Sequence, residues 1–153
     1  MKIYCGHQIS GLRVEEVVSY YDQVRFDLEK IGYTVLSPMT AKDDQFNMLN
    51  KDEVFVPGGY SGVASDHSIV ERDCWMVSQA DIILMNLLGM KKASIGCISE
   101  TAWAFLLRKH VVLLMEKDNP HQHAFIKEMS DVLLETYDQG IAYLTKLAPV
   151  NNR

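Results

Sequence analysis

Short apolar runs alternate along this chain with longer stretches in which apolar positions recur every three or four residues. The first run, Lys2-Ile-Tyr-Cys-Gly6, reads as a buried strand ending in a tight turn. From Gly11 the period becomes helical. Val14, Val17, Val18, Tyr21, Val24, Phe26 and Leu28 supply apolar positions, and Glu15, Glu16, Asp22 and Arg25 supply a wet face. Gly32 suits a helix C-terminal cap, and residues 33–36 resume as a second strand. Residues 66–79 then read as a helix and 81–86 as a third strand, apolar along almost its whole length. Residues 96–109 read as helix and 110–116 as a fourth strand. Asn119-Pro120 breaks the pattern, and a short helix, a fifth strand at 131–136 and a last helix at 138–147 follow. Strands alternating with helices predict an α/β fold, a doubly wound (Rossmann/flavodoxin-like) parallel five-stranded sheet with helices on both faces.

Residues 37–65 break this rhythm, with Pro38, Pro57, Gly58, Gly59 and Gly62 and only brief apolar patches. A connection that long in a compact domain is usually functional. Ligands of such sheets sit at the carboxyl ends of the strands. The segments expected to carry chemistry are therefore 6–11, 38–65 and 86–100.

With 153 residues and no linker-like stretch, a single domain spanning 1–153 is expected. The formal net charge of −5, with scattered Lys and Arg, argues against a groove for a nucleic acid polymer but leaves room for one small anion. Cys5, Cys74 and Cys97 are an odd number without CxxC spacing and read as reduced, structural thiols of a cytoplasmic protein. No apolar run reaches membrane-span length, and the first residues lack the basic start and apolar stretch of a signal peptide.

Several residues could carry chemistry. Ser94-Ile-Gly96 precedes Glu100 at the start of a helix, where backbone N–H groups attract anions and the positive helix end favours an ionised carboxylate. Such a carboxylate can attack an electrophilic carbon, although a first-turn glutamate also serves simply to complement the helix dipole. Asp73, on the preceding helix, is either a solvated partner of Arg72 or the second carboxylate of a pair of the kind that cleaves glycosidic bonds. The turn Gly6-His-Gln-Ile-Ser-Gly11 permits close approach of a ligand, but neither GxGxxG nor GxxxxGK[ST] is present. Phe46 and Tyr60 could stack on a base or plug a core edge. His121 and His123 lack the third ligand of a catalytic zinc site. Trp75 and Trp103 fall within apolar helical patterns and are expected in the core.

Taken in order, three segments resemble the nucleoside 2-deoxyribosyltransferase family. They are Met1-Lys-Ile-Tyr-Cys-Gly-His-Gln-Ile-Ser-Gly11, Glu71-Arg-Asp73 leading into Ala80-Asp81 and a strand, and Ser94-Ile-Gly96-Cys-Ile-Ser-Glu100-Thr-Ala-Trp-Ala. The resemblance covers about residues 1–116. It implies that Glu100 is the nucleophile, forming a glycosyl ester with a 2′-deoxyribose and expelling the base. A second base (transferase) or water (hydrolase) then collects the sugar. Asp73 would orient sugar and base or help move the proton, and Tyr4, Gly6 and Gln8 would contact substrate.

Many members carry an aspartate where this chain has Ser94. The related nucleoside 5′-monophosphate N-glycosidases carry serine, in the spacing S-x-G-x-x-x-E matched by Ser94, Gly96 and Glu100. Serine can donate to a phosphate that aspartate would repel, which tilts the expected substrate towards a 5′-monophosphate. Ile98, Ser99 and His110 depart from the usual pattern. The family also implies no metal or organic cofactor, and a homodimer or higher homo-oligomer whose sites borrow C-terminal residues, with His121, His123 and Ser130 the candidates. The competing expectation is a non-catalytic nucleotide-binding or sensing module on the same scaffold. A phosphoreceiver is disfavoured because Asp81 begins its strand and Asn86 ends one.

Overall fold

The computed structural model describes residues 1–40, 49–56 and 62–149. Five parallel strands, β1 (Lys2–Gly6), β2 (Thr34–Leu36), β3 (Ile82–Asn86), β4 (His110–Leu114) and β5 (Val132–Leu134), form one sheet in the order β2-β1-β3-β4-β5. The α-helices among these residues are α1 (Val14–Lys30), α2 (Asp66–Gln79), α3 (Ile95–Leu106), the short α4 (Ala124–Glu128) and α5 (Tyr137–Leu147). This is the doubly wound α/β architecture that the hydropathy pattern predicts.

Side-chain alternation divides the core cleanly between the two faces. Tyr4, Ile83, Met85, Val111 and Leu113 point to one side, where they meet Met76, Val77 and Ala80 of α2 and its end, and Cys97 and Ala104 of α3. Ile3, Cys5, Ile82, Leu84, Val112 and Leu114 point to the other, against Val24 and Leu28 of α1 and Leu144 of α5. A strand buried on both faces has no polar positions to spare, which is why β3 reads as continuously apolar. Gly140 lets α5 lie close on the sheet, since a Cβ there would stand 2.8 Å from a Leu114 methyl.

Element ends depart modestly from the sequence pattern. Helix α1 starts at Val14, not Gly11, because Gly11 sits at φ +83° in the preceding turn. Helix α3 stops at Leu106, and Arg108 turns the chain at φ +57°. Trp75 is a correction. It is 59% exposed, since the buried stripe of α2 is Asp73, Met76 and Val77, whereas Trp103 is partly buried against the core.

Residues 51–55 also hold an unexpected short antiparallel contact with residues 11–15. Gly11 N donates to Phe55 O, Phe55 N to Leu12 O and Val14 N to Glu53 O, each at 2.9 Å. This brings buried Phe55 under the turn that follows β1. None of the described helices is long and apolar enough to cross a membrane.

Candidate active site

The turn after β1, Pro38 after β2, Phe55, one face of α2 from Asp66 to Asp73 and residues 92–100 at the start of α3 surround a cleft of about 550 Å³. Both candidate carboxylates line it, and each is only 7% exposed. Their placement follows from helix geometry. In α3 the buried positions are Cys97, Glu100, Thr101 and Ala104; at the end of α2 they are Asp73, Met76, Val77 and Ala80. Both sets run i, i+3, i+4, i+7, the spacing of a core-facing stripe. Each carboxylate thus stands where a stripe would otherwise carry an apolar side chain, at the end of the stripe nearest the cleft or close to it.

Tyr4 lies beneath the pair. Its side chain is fully buried, and burial pushes the phenol well above its usual pKa, with the charges of Glu100 and then Asp73 adding to the effect. The phenol therefore stays protonated and offers its O–H towards Glu100, in a contact looser than an ideal hydrogen bond. Gly6 is fixed by sterics. A Cβ there would come within 2.5 Å of Met85 Cε and 2.8 Å of Glu100 Oε2, so a larger residue would force both side chains to shift.

Ser94 caps α3. Its Oγ accepts from Cys97 N–H at 3.4 Å, and the residue lines the cleft. Helix geometry leaves the amides of Ile95 and Gly96 without intrahelical acceptors, and both residues line the cleft with Lys92. A cation, a hydroxyl and two amides at one helix start form a setting for a single anion. Gln8 lines the cleft too, its amide donating to Ser10 O at 2.7 Å.

Behind the α3 start runs a buried chain of hydrogen bonds. Ser94 N–H donates to His121 Nε2 at 2.8 Å, and His121 Nδ1 lies 2.8 Å from Asn119 Oδ1. The Asn119 amide donates to Leu87 O at 2.6 Å. Since Nε2 accepts, Nδ1 carries the proton and the ring is neutral. Burial lowers the His121 pKa, opposed by the nearby Glu116 carboxylate. His121, a residue considered for a neighbouring subunit's site, thus serves its own chain's Ser94. His123 lies outside the cleft, capping α4 at an exposed position, and Ser130 bonds to Lys127 O at the other end of that helix. Phe46 and Tyr60 fall outside the described residues. Among the described residues no cluster of three or more His, Cys, Asp or Glu could hold a metal ion.

Sequence reasoning passed over His7 and Lys92. His7 Nδ1 lies 2.8 Å from the Asn86 carbonyl, and its ring packs against Tyr20, tilted by 32° with centroids 4.0 Å apart. Burial lowers its pKa, opposed by that carbonyl. The signal for His7 was its place one residue beyond the glycine that ends β1.

By sequence, no family profile and no curated protein matches the chain. By structure, it is similar to the CMP N-glycosidase BcmB of Clostridium botulinum, with a TM-score of 0.59 at 14% identity over 96% of this chain and 99% of that one. It also resembles a conserved protein from Enterococcus faecalis V583, with a TM-score of 0.54 at 16% identity over 97% of this chain and 87% of the other. A third likeness is to the molybdenum cofactor binding protein of Rippkaea orientalis, with a TM-score of 0.51 at 15% identity, covering 95% and 94% of the two chains. At such identities the likenesses establish the fold alone.

Proposed function

We propose that this chain cleaves the N-glycosidic bond of a 2′-deoxynucleoside 5′-monophosphate or its nucleoside. The observation that carries this reading is the convergence of Glu100 and Asp73 at one cleft lined also by Ser94, Lys92 and the start of α3, with the protonated Tyr4 phenol buried near both carboxylates. The likeness in fold to a CMP N-glycosidase supports it.

Glu100 Oε attacks C1′ of the sugar, the C1′–N bond breaks with its electron pair going to the base, and the base takes a proton relayed from solvent by Asp73. The C1′–O ester then yields to water or to a second base, returning Glu100 as carboxylate. Asp73 orients the sugar and assists proton movement, and Tyr4 steadies Glu100 from below. The anion setting at Ser94 and Lys92 favours the 5′-monophosphate over the nucleoside. The reading includes association with a second copy of the chain, because one small sheet leaves the cleft rim open, with Ile95 82% exposed.

The test is chromatography of the intact protein incubated with each common 2′-deoxynucleoside and 5′-monophosphate, with and without a free acceptor base. Release of base from at least one 5′-monophosphate, abolished in Glu100→Gln, is expected. Saturable binding of nucleotides without base release would replace this reading with the non-catalytic sensing module.

A further inference from the structure

The turn after β1 holds a histidine more firmly than a surface turn requires. His7 N–H donates to Tyr21 Oη at 3.1 Å, and the same hydroxyl donates back to His7 O at 3.0 Å, so its backbone is clamped from both sides. The Asn86 carbonyl 2.8 Å from Nδ1 can only accept, so Nδ1 carries the proton. The Tyr20 ring at 4.0 Å fixes the imidazole plane, and Tyr20 is itself held by the Asn86 amide, which donates to its hydroxyl at 3.0 Å. Asn86 Oδ1 in turn accepts from Leu88 N–H at 3.0 Å. With Nδ1 occupied, Nε2 carries the lone pair. It makes no hydrogen bond to another described residue, and His7 lines the same cleft as Glu100 and Asp73.

We propose that His7 is a further catalytic residue, whose Nε2 accepts the proton of the nucleophile that cleaves the glycosyl–Glu100 ester. This rests on Glu100 being the nucleophile of the first step. In the second step the O–H of water, or the N–H of an acceptor base, loses its proton to Nε2 while its lone pair forms the new bond to C1′. The C1′–Oε bond breaks, its electron pair returns to Glu100 as carboxylate, and the imidazolium passes its proton to solvent. A neutral imidazole suits this work, and burial keeps His7 in that form. The clamped ring offers an acceptor that is already oriented and adds no charge to the site.

His7→Asn tests the assignment, because the asparagine amide can still donate to the Asn86 carbonyl while nothing basic replaces Nε2. His7→Gln is the second variant. In rapid-quench experiments with the best 2′-deoxynucleotide substrate, wild-type protein turns over many times. Both variants should release about one equivalent of base per site at near wild-type rate, then slow by about 10²-fold or more. The glycosyl adduct should accumulate in the intact mass, and azide, which needs no deprotonation, should restore turnover in the variants. The retained burst also reports that the variants are folded. Wild-type steady-state rates in both variants, or loss of the burst together with turnover and no rescue by azide, would overturn the role of His7. A wild-type protein that releases no base from any substrate would overturn the glycosidase reading itself, and the role of His7 with it.

Discussion

Glu100 and Asp73 each occupy a buried helix position that faces the sheet, and the surroundings are built to accept a carboxylate there. Gly6 removes its own side chain, and Tyr4 offers a phenol that burial and the two carboxylates keep protonated. Gly6→Ala should therefore act on chemistry as well as on stability. The added methyl must displace both Met85 and Glu100, so stability should fall by about 1–3 kcal/mol, measured by denaturant unfolding. Turnover of the residual folded protein should fall much further, measured as kcat at a temperature well below the transition. Asp73→Asn should keep the fold and lower kcat by about 10²–10⁴-fold. A kcat equal to wild type in Asp73→Asn would remove Asp73 from the mechanism.

At the scale of elements, the start of α3 does two jobs, capping a helix and offering an anion site. Ser94→Ala should cost about 1 kcal/mol of stability through the lost cap. If Ser94 also donates to phosphate, the substitution raises KM for the 5′-monophosphate while leaving KM for the nucleoside near its wild-type value. Equal effects on the two substrates would confine Ser94 to capping.

His121 ties this helix start to Asn119, and the sign of its pH dependence follows from its state. Both His121 and His7 have folded pKa values below the unfolded value of about 6.5. Above that pH neither form carries a proton and the contribution to stability is complete. Below it the unfolded chain binds protons that the folded chain resists, so stability falls as pH drops towards the lowered folded values. Thermal melting followed between about pH 7 and pH 5 should show this loss. His121→Gln, which keeps an acceptor for Ser94 N–H without a titrating ring, should flatten part of the slope. An unchanged slope would mean that protonation of His121 does not govern the α3 start.

Over the whole molecule, the alternation of strands and helices was legible from hydropathy alone, because β3 and β4 are buried on both faces and the helices are amphipathic. Glu100 drew attention through its place near a helix start and through the family resemblance, whereas the burial of Asp73 was not legible, because a carboxylate beside Arg72 on an amphipathic helix reads equally well as solvated. Other features were not readable, for physical reasons. The antiparallel contact of residues 51–55 with 11–15 is short and made by backbone groups, which leave no side-chain period. The His121–Ser94 bond joins segments brought together only by the β3–β4 pairing. Trp75 misled because a large apolar residue inside a helical pattern implies burial, whereas the stripe that meets the sheet lies on another side of α2.

The open rim of the cleft belongs to this scale too. Sedimentation velocity should find a dimer or higher oligomer, and Ile95→Asp should shift it towards monomer with loss of activity. A fully active monomer would show that one chain closes its own site.

A covalent bond between the sugar and Glu100 is the central step of the proposed reaction. Incubation with a 2′-deoxy-2′-fluoro-arabinosyl nucleoside 5′-monophosphate, which slows breakdown of a glycosyl ester, followed by proteolysis and mass spectrometry, addresses that bond directly. The peptide containing Glu100 should gain the mass of the fluoro-sugar phosphate, one label per chain, with release of one equivalent of base. A label on a different peptide, or release of base with no label on any peptide, would contradict the account.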